Sequence, residues 1–146
     1  MKLLNSYEAM QPLGQFYYAF LEAMLWSSLY YGTDENDELE QQGYHLDEVF
    51  SFENIDQQSA DMLLDLCKEF IGKAGNDAIL ENNYSQAGHD FWLTIAGHGA
   101  GFWDGDWPIN GDTLTELCEN MVRWAEVEND SESVYVNISV PKVAAC

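Results

Sequence analysis

Basic residues are what this sequence has least of. Five Lys and Arg stand against 26 Asp and Glu in 146 residues, a formal net charge of −21. A chain so charged repels nucleic acid and anionic membrane surfaces and is drawn to basic ones. Cysteine is scarce too. Cys67, Cys118 and Cys146 are odd in number and far apart, which argues against both a disulfide framework and a zinc knuckle and makes buried thiols of Cys67 and Cys118. No apolar run approaches membrane-spanning length, and no basic stretch followed by an apolar one opens the chain, so a soluble intracellular protein is expected. Also missing are a Gly-rich loop closing in Lys-Ser or Lys-Thr and a Gly-x-Ser-x-Gly turn. Neither nucleotide binding nor a serine nucleophile is therefore indicated, and the chain is expected to be no enzyme and to take no cofactor.

What is abundant is apolar and aromatic: 47% hydrophobic residues and 14% aromatic. That composition excludes disorder and predicts a single domain over residues 1–146, with 140–146 as a flexible tail. Pro12 opens a first helix, expected to run to residue 31, in which Leu13, Phe16, Tyr17, Phe20, Met24 and Leu25 recur at three- and four-residue steps. A second helix follows Ile55, capped by Asp56 or Ser59, with Met62, Leu63, Leu66, Phe70 and Ile71 as its core face. A third begins at Asp112 or Thr113 and turns Leu114, Leu117, Met121 and Trp124 inward. Residues 126–132 read as an acidic loop, and Val134 to Ile138 alternate as a strand.

Between the second and third helices lies the densest run of aromatic residues, histidines and glycines, Gly88-His89-Asp90-Phe91-Trp92-Leu93-Thr94 and Gly97-His98-Gly99-Ala100-Gly101-Phe102-Trp103-Asp104, continuing to Gly111. The aromatics favour strands and the glycines favour a reversal, so this stretch predicts a central β-hairpin with at least two of Phe91, Trp92, Phe102 and Trp103 in the core. The fold class is then α+β, three helices on one face of a small antiparallel sheet containing that hairpin. Across it His89 and His98 would face each other with Asp90 and Asp104 near, an arrangement that permits a metal site or an acid-base pair. Their spacing matches no standard zinc or metalloprotease pattern, and a structural role is favoured. The oxygen-rich runs Asp104-Gly105-Asp106 and Asn110-Gly111-Asp112 lack the ordered spacing and closing Glu of a calcium loop, so no metal is expected there.

The acids cluster. Asp34, Glu35, Asp37, Glu38, Glu40, Asp47, Glu48 and Glu53 form one block, and Asp61, Asp65 and Glu69 follow at four-residue steps on a helix. Like charges at that spacing oppose the helix by a few tenths of a kcal/mol per pair, so something other than local stability favours them. Duplex DNA carries one charge per about 1.7 Å of axis, and 21 charges correspond to about 36 Å of duplex. A compact chain of this length is about 40 Å across, so its charge per unit length is DNA-like. These eleven carboxylates are the expected partner-binding surface.

The run from Gly88 to Thr94 and from Gly97 to Asp104 resembles a family of small acidic proteins carried by bacteriophages and prophages. Glu22-Ala23 with Leu25-Trp26-Ser27-Ser28 is similar to the family's N-terminal helix, and Gly111-Asp112 with Leu114-Thr115 to the start of its C-terminal helix. Where family members carry Arg-Asn this chain has Ile95-Ala96, and where they carry an Arg after the last aspartate it has Gly105. The resemblance implies a phage setting, in which small acidic proteins without enzymatic activity inhibit host DNA-targeting defences. The expected function is an anti-CRISPR or anti-restriction DNA mimic in the cytoplasm of the host bacterium, occupying the basic DNA-binding channel of a nuclease or CRISPR effector complex. The alternatives are a small metal-using enzyme built on His89, His98 and Asp104, and an acidic protein-binding module unrelated to DNA defence.

Overall fold

The computed structural model describes residues 2–30, 43–74, 83–103, 107 and 109–141. Among them are six α-helices, where three were expected, and one two-stranded antiparallel sheet; the added helices are the short Ser6–Met10 and Leu46–Val49 and, in place of the expected hairpin, Tyr84–Ala96. Asn5 caps the short α1 (Ser6–Met10), its side chain accepting from the Glu8 amide while Glu8 reaches back to the Asn5 amide. Pro12, whose missing N–H is no loss in a first turn, starts α2 (Pro12–Ser27). Phe16, Tyr17, Phe20, Leu21, Met24 and Leu25 of α2 are all buried. Beyond it, the Ser28 carbonyl accepts from the Leu46 amide, and Tyr30 donates to the Tyr44 carbonyl, so the approach to α3 (Leu46–Val49) is bound back to the end of α2.

A 3₁₀ turn (Phe52–Asn54) leads to α4 (Gln57–Ala74). Asp56 caps α4, its carboxylate accepting from the Ser59 amide, while Ser59 is buried and accepts from the Val136 amide at 3.0 Å. Leu63, Leu66, Cys67 and Phe70 carry the buried face of α4; Met62 is exposed and Ile71 only partly covered, which narrows the expected core face.

The central hairpin expected over Gly88–Gly111 is absent, and a helix stands in its place: α5 runs Tyr84–Ala96. Gly88 lets this helix pack close against α2. A Cβ there would overlap the Phe16 carbonyl, so only glycine lets the backbones of α2 and α5 touch. At that closest approach Phe91 slots between Phe16 (5.8 Å between centroids) and Phe70 (4.2 Å, stacked), and Trp92 meets Phe20 edge-on at 5.5 Å. Gly97, at φ +71, ends α5 in the left-handed conformation, and its amide and that of His98 close on the carbonyls of Thr94 and Leu93. Phe91, Trp92 and Phe102 are core residues, as expected of at least two of the four, but Trp103 is 45% exposed.

The third expected helix is α6 (Gly111–Met121), with Leu114, Cys118 and Met121 buried. Trp124 is not on its inner face. It is 45% exposed and begins β1 (Trp124–Asn129), which takes up most of the expected acidic loop and pairs with β2 (Val134–Ser139) in the register Val127 to Val136. The sheet is this hairpin at the C-terminal end. Val134 and Val136 face the core, Val134 also bridging to Ile55, while Glu126 and Glu128 face outward. The architecture is mixed α+β, with helices packed against a small two-stranded sheet.

Candidate partner interface

Asp34, Glu35, Asp37, Glu38 and Glu40, the densest part of the expected acidic surface, lie outside the described residues, as do Asp104 and most of the expected tail. Asp47, Glu48 and Glu53 are exposed on α3 and the 3₁₀ turn. The local role of Glu48 is already set, because its carboxylate accepts from the His45 amide at 2.7 Å. Asp47 borders a small cavity with Glu22, Trp26 and His89. On α4, Asp61, Asp65 and Glu69 are all exposed, Asp61 accepting from Gln57 at 2.8 Å and Glu69 lying 3.9 Å from the Lys73 ammonium. At 1.5 Å of rise per residue they form a row spaced about 6 Å apart.

Every other described carboxylate is exposed as well, save two. Asp56 is the half-buried cap of α4. Asp90, only 1% exposed, is the exception that matters. Its Oδ2 accepts from the Trp107 indole at 2.7 Å and from Nε2 of the Gln86 side chain at 3.0 Å, and its Oδ1 lies 3.3 Å from Nδ1 of His89. A carboxylate buried in this way needs such donors to replace water. One turn later Thr94 repeats the arrangement with a hydroxyl: it donates to the Asp90 carbonyl and accepts from the Phe102 amide at 3.2 Å. Asp90 and Thr94 thus hold Trp107 and the backbone of Phe102 against α5. The sequence placed Asp90 near the histidines without signalling this role; the signal available was the polar pair Asp90 and Thr94 at i, i+4 among the apolar residues Ala87, Phe91, Leu93 and Ile95.

His89 and His98 do not face each other. With α5 in place of a hairpin, His89 sits on the helix beside Trp26, while His98 lies beyond the Gly97 cap and borders a different cavity. Among the described residues no group of three or more His, Cys, Asp or Glu is arranged to hold a metal ion. His45 serves structure, its Nδ1 lying 2.6 Å from the Trp26 carbonyl at the end of α2, where an N–H satisfies an otherwise orphaned acceptor. Burial pushes the thiols of Cys67 and Cys118 well above the usual thiol range, and the same desolvation, aided by Cys67, pushes Tyr17 up. The Tyr17 hydroxyl instead donates to the Ala60 carbonyl at 2.9 Å, joining α2 to α4.

A concavity of about 650 Å³ runs beside β1, and another of about 550 Å³ lies between the start of α4 and β2; neither was foreseen from the sequence. Among the described residues no helix is long and apolar enough to cross a membrane. No family model, no curated protein and no solved structure matches the chain.

Proposed function

We propose that this chain is a phage-derived inhibitor of a host DNA-targeting defence system, an anti-CRISPR or anti-restriction protein that offers carboxylates in place of phosphates to a basic DNA-binding channel. The observation that carries the reading is the row Asp61, Asp65 and Glu69 on α4, exposed on a chain of net charge −21. Along the helix axis its spacing of about 6 Å is close to two base-pair rises of B-DNA, about 3.4 Å each. The resemblance of the segment around α5 to small acidic phage proteins supports the same setting. In a Lys- and Arg-lined channel each neutralised contact releases bound ions, so affinity falls steeply with salt.

The test is competition against a panel of purified restriction nucleases and CRISPR effector complexes. An inhibited complex should lose duplex DNA when this protein is added, and binding should weaken between low and moderate salt. Reversal of Asp61, Asp65 and Glu69 to lysine should abolish inhibition while leaving the circular dichroism spectrum intact. Tight binding that ignores salt and leaves the partner's DNA affinity unchanged would refute the mimic.

A further inference from the structure

The cavity beside β1 is bordered by five consecutive residues, Ala125 to Asn129. Side chains of successive strand residues point to opposite faces of a sheet, so a groove that touches all five runs along the strand's edge, and Tyr135 of β2, paired with Glu128, extends it over the outer face. Among the described residues β2 is the sole neighbour of β1 in the sheet, which makes β1 an edge strand. Among the described residues, the backbone groups of Ala125 to Glu128 bond only across the β1–β2 ladder. In an antiparallel ladder alternate residues direct both N–H and C=O away from the partner. The edge therefore presents unpaired donors and acceptors to an open groove whose far wall is the end of α2, with Leu29 49% exposed, and the end of α5 at Ala96 and His98.

We propose that this groove takes an extended segment of a basic partner protein as a third strand, with Lys or Arg at every second position and apolar residues between them. Charge selects this occupant. Glu126 and Glu128 are exposed on one face of β1, and Asp130 and Glu132 continue the acidic character into the turn, while Arg123, just ahead of the strand, lies at the other end. A second copy of the chain added antiparallel at this edge would set Glu126 against Glu128, and like charges directly opposite repel. A strand with cations on that face meets both carboxylates. Its alternate side chains then point to the other face, where Val127, Ala96 and Leu29 offer apolar contact. The site uses elements other than the α4 row, and it can stand or fall independently of the DNA-mimic reading.

The experiment titrates the full chain with the peptide acetyl-Lys-Val-Lys-Val-Lys-amide and follows backbone amides by NMR. Binding should shift the amides of Ala125 to Glu128, and E126K/E128K should weaken it about tenfold or more, as expected when two cross-strand attractions become repulsions. Two further peptides separate strand pairing from plain charge attraction: one N-methylated at every Lys, the other at every Val. Residues that share a face of a strand also share a hydrogen-bonding edge, so one of these peptides loses the N–H groups that face β1 and the other keeps them. Loss of binding by one alone supports the proposal. Equal behaviour of the two, unchanged affinity in E126K/E128K, or a concentration-dependent dimer through β1 in sedimentation overturns it.

Discussion

The helix pair α2 and α5 and the hairpin β1–β2 solve opposite problems. The pair packs ring against ring with its backbones in contact at Gly88, and the one carboxylate it admits, Asp90, is bonded at both oxygens. The hairpin covers itself on one face only and leaves Glu126 and Glu128 in water. Self-repulsion among the described carboxylates is tolerable because nearly all of them stand where solvent and salt screen them, while the described interior is close-packed and holds one buried carboxylate, Asp90. Packing tolerates no added atom in the first region; the second accepts new charge with little effect on stability.

The largest test of that contrast is Gly88→Val. Its side chain collides with backbone rather than with a mobile side chain, so the two helices must separate, and a loss of more than about 4 kcal/mol is expected, enough to abolish a cooperative melt. Phe91→Ala empties the space between Phe16 and Phe70 and should cost about 3–5 kcal/mol, measured by urea denaturation.

Alkali probes the same interior by titration. Cys67, Cys118 and Tyr17 keep their protons in the folded chain above the pH at which the unfolded chain releases them. The stability they contribute is intact below the unfolded thiol value near 9.0 and is lost as pH rises above it. Each thiol should add about 1.4 kcal/mol of loss per pH unit in that range, and Cys67→Ala should flatten the slope of unfolding free energy against pH. The smallest effect belongs to the acidic exterior. Asp65→Lys replaces two i, i+4 repulsions on α4 with attractions, and the midpoint should rise by the equivalent of a few tenths of a kcal/mol, whatever it does to partner binding.

The same division explains what could be read from the residues alone. Helices α2, α4 and α6 were legible because their apolar residues recur at helical spacing on one face against polar residues on the other. Over α5 the helical period was present too, in Ala87, Gly88, Phe91 and Ile95, but β-favouring aromatics flanked by glycines imitate a hairpin. What decides between the readings is the Phe16 backbone, 72 positions earlier in the chain, against which Gly88 fits. β1 was hidden for the opposite reason. Glu126 and Glu128 are poor strand residues by composition, yet alternating with Val127 they suit a strand with one wet face. Of the acidic surface, number and helical spacing were legible; the half-buried groove beside β1 depends on contacts between distant segments and was not.

Two anchors onto α5, Trp107 to Asp90 and Phe102 to Thr94, lie one helical turn apart. Because the Thr94 hydroxyl also bonds the Asp90 carbonyl, the two anchors share a residue. Local opening is then a cooperative event: the Trp107 indole proton and the Phe102 amide should exchange with deuterium at one common rate, faster than the amides of Phe91 and Trp92 beneath them. Loss of the two bonds together would expose the buried carboxylate of Asp90 to solvent while α5 keeps its own backbone bonds.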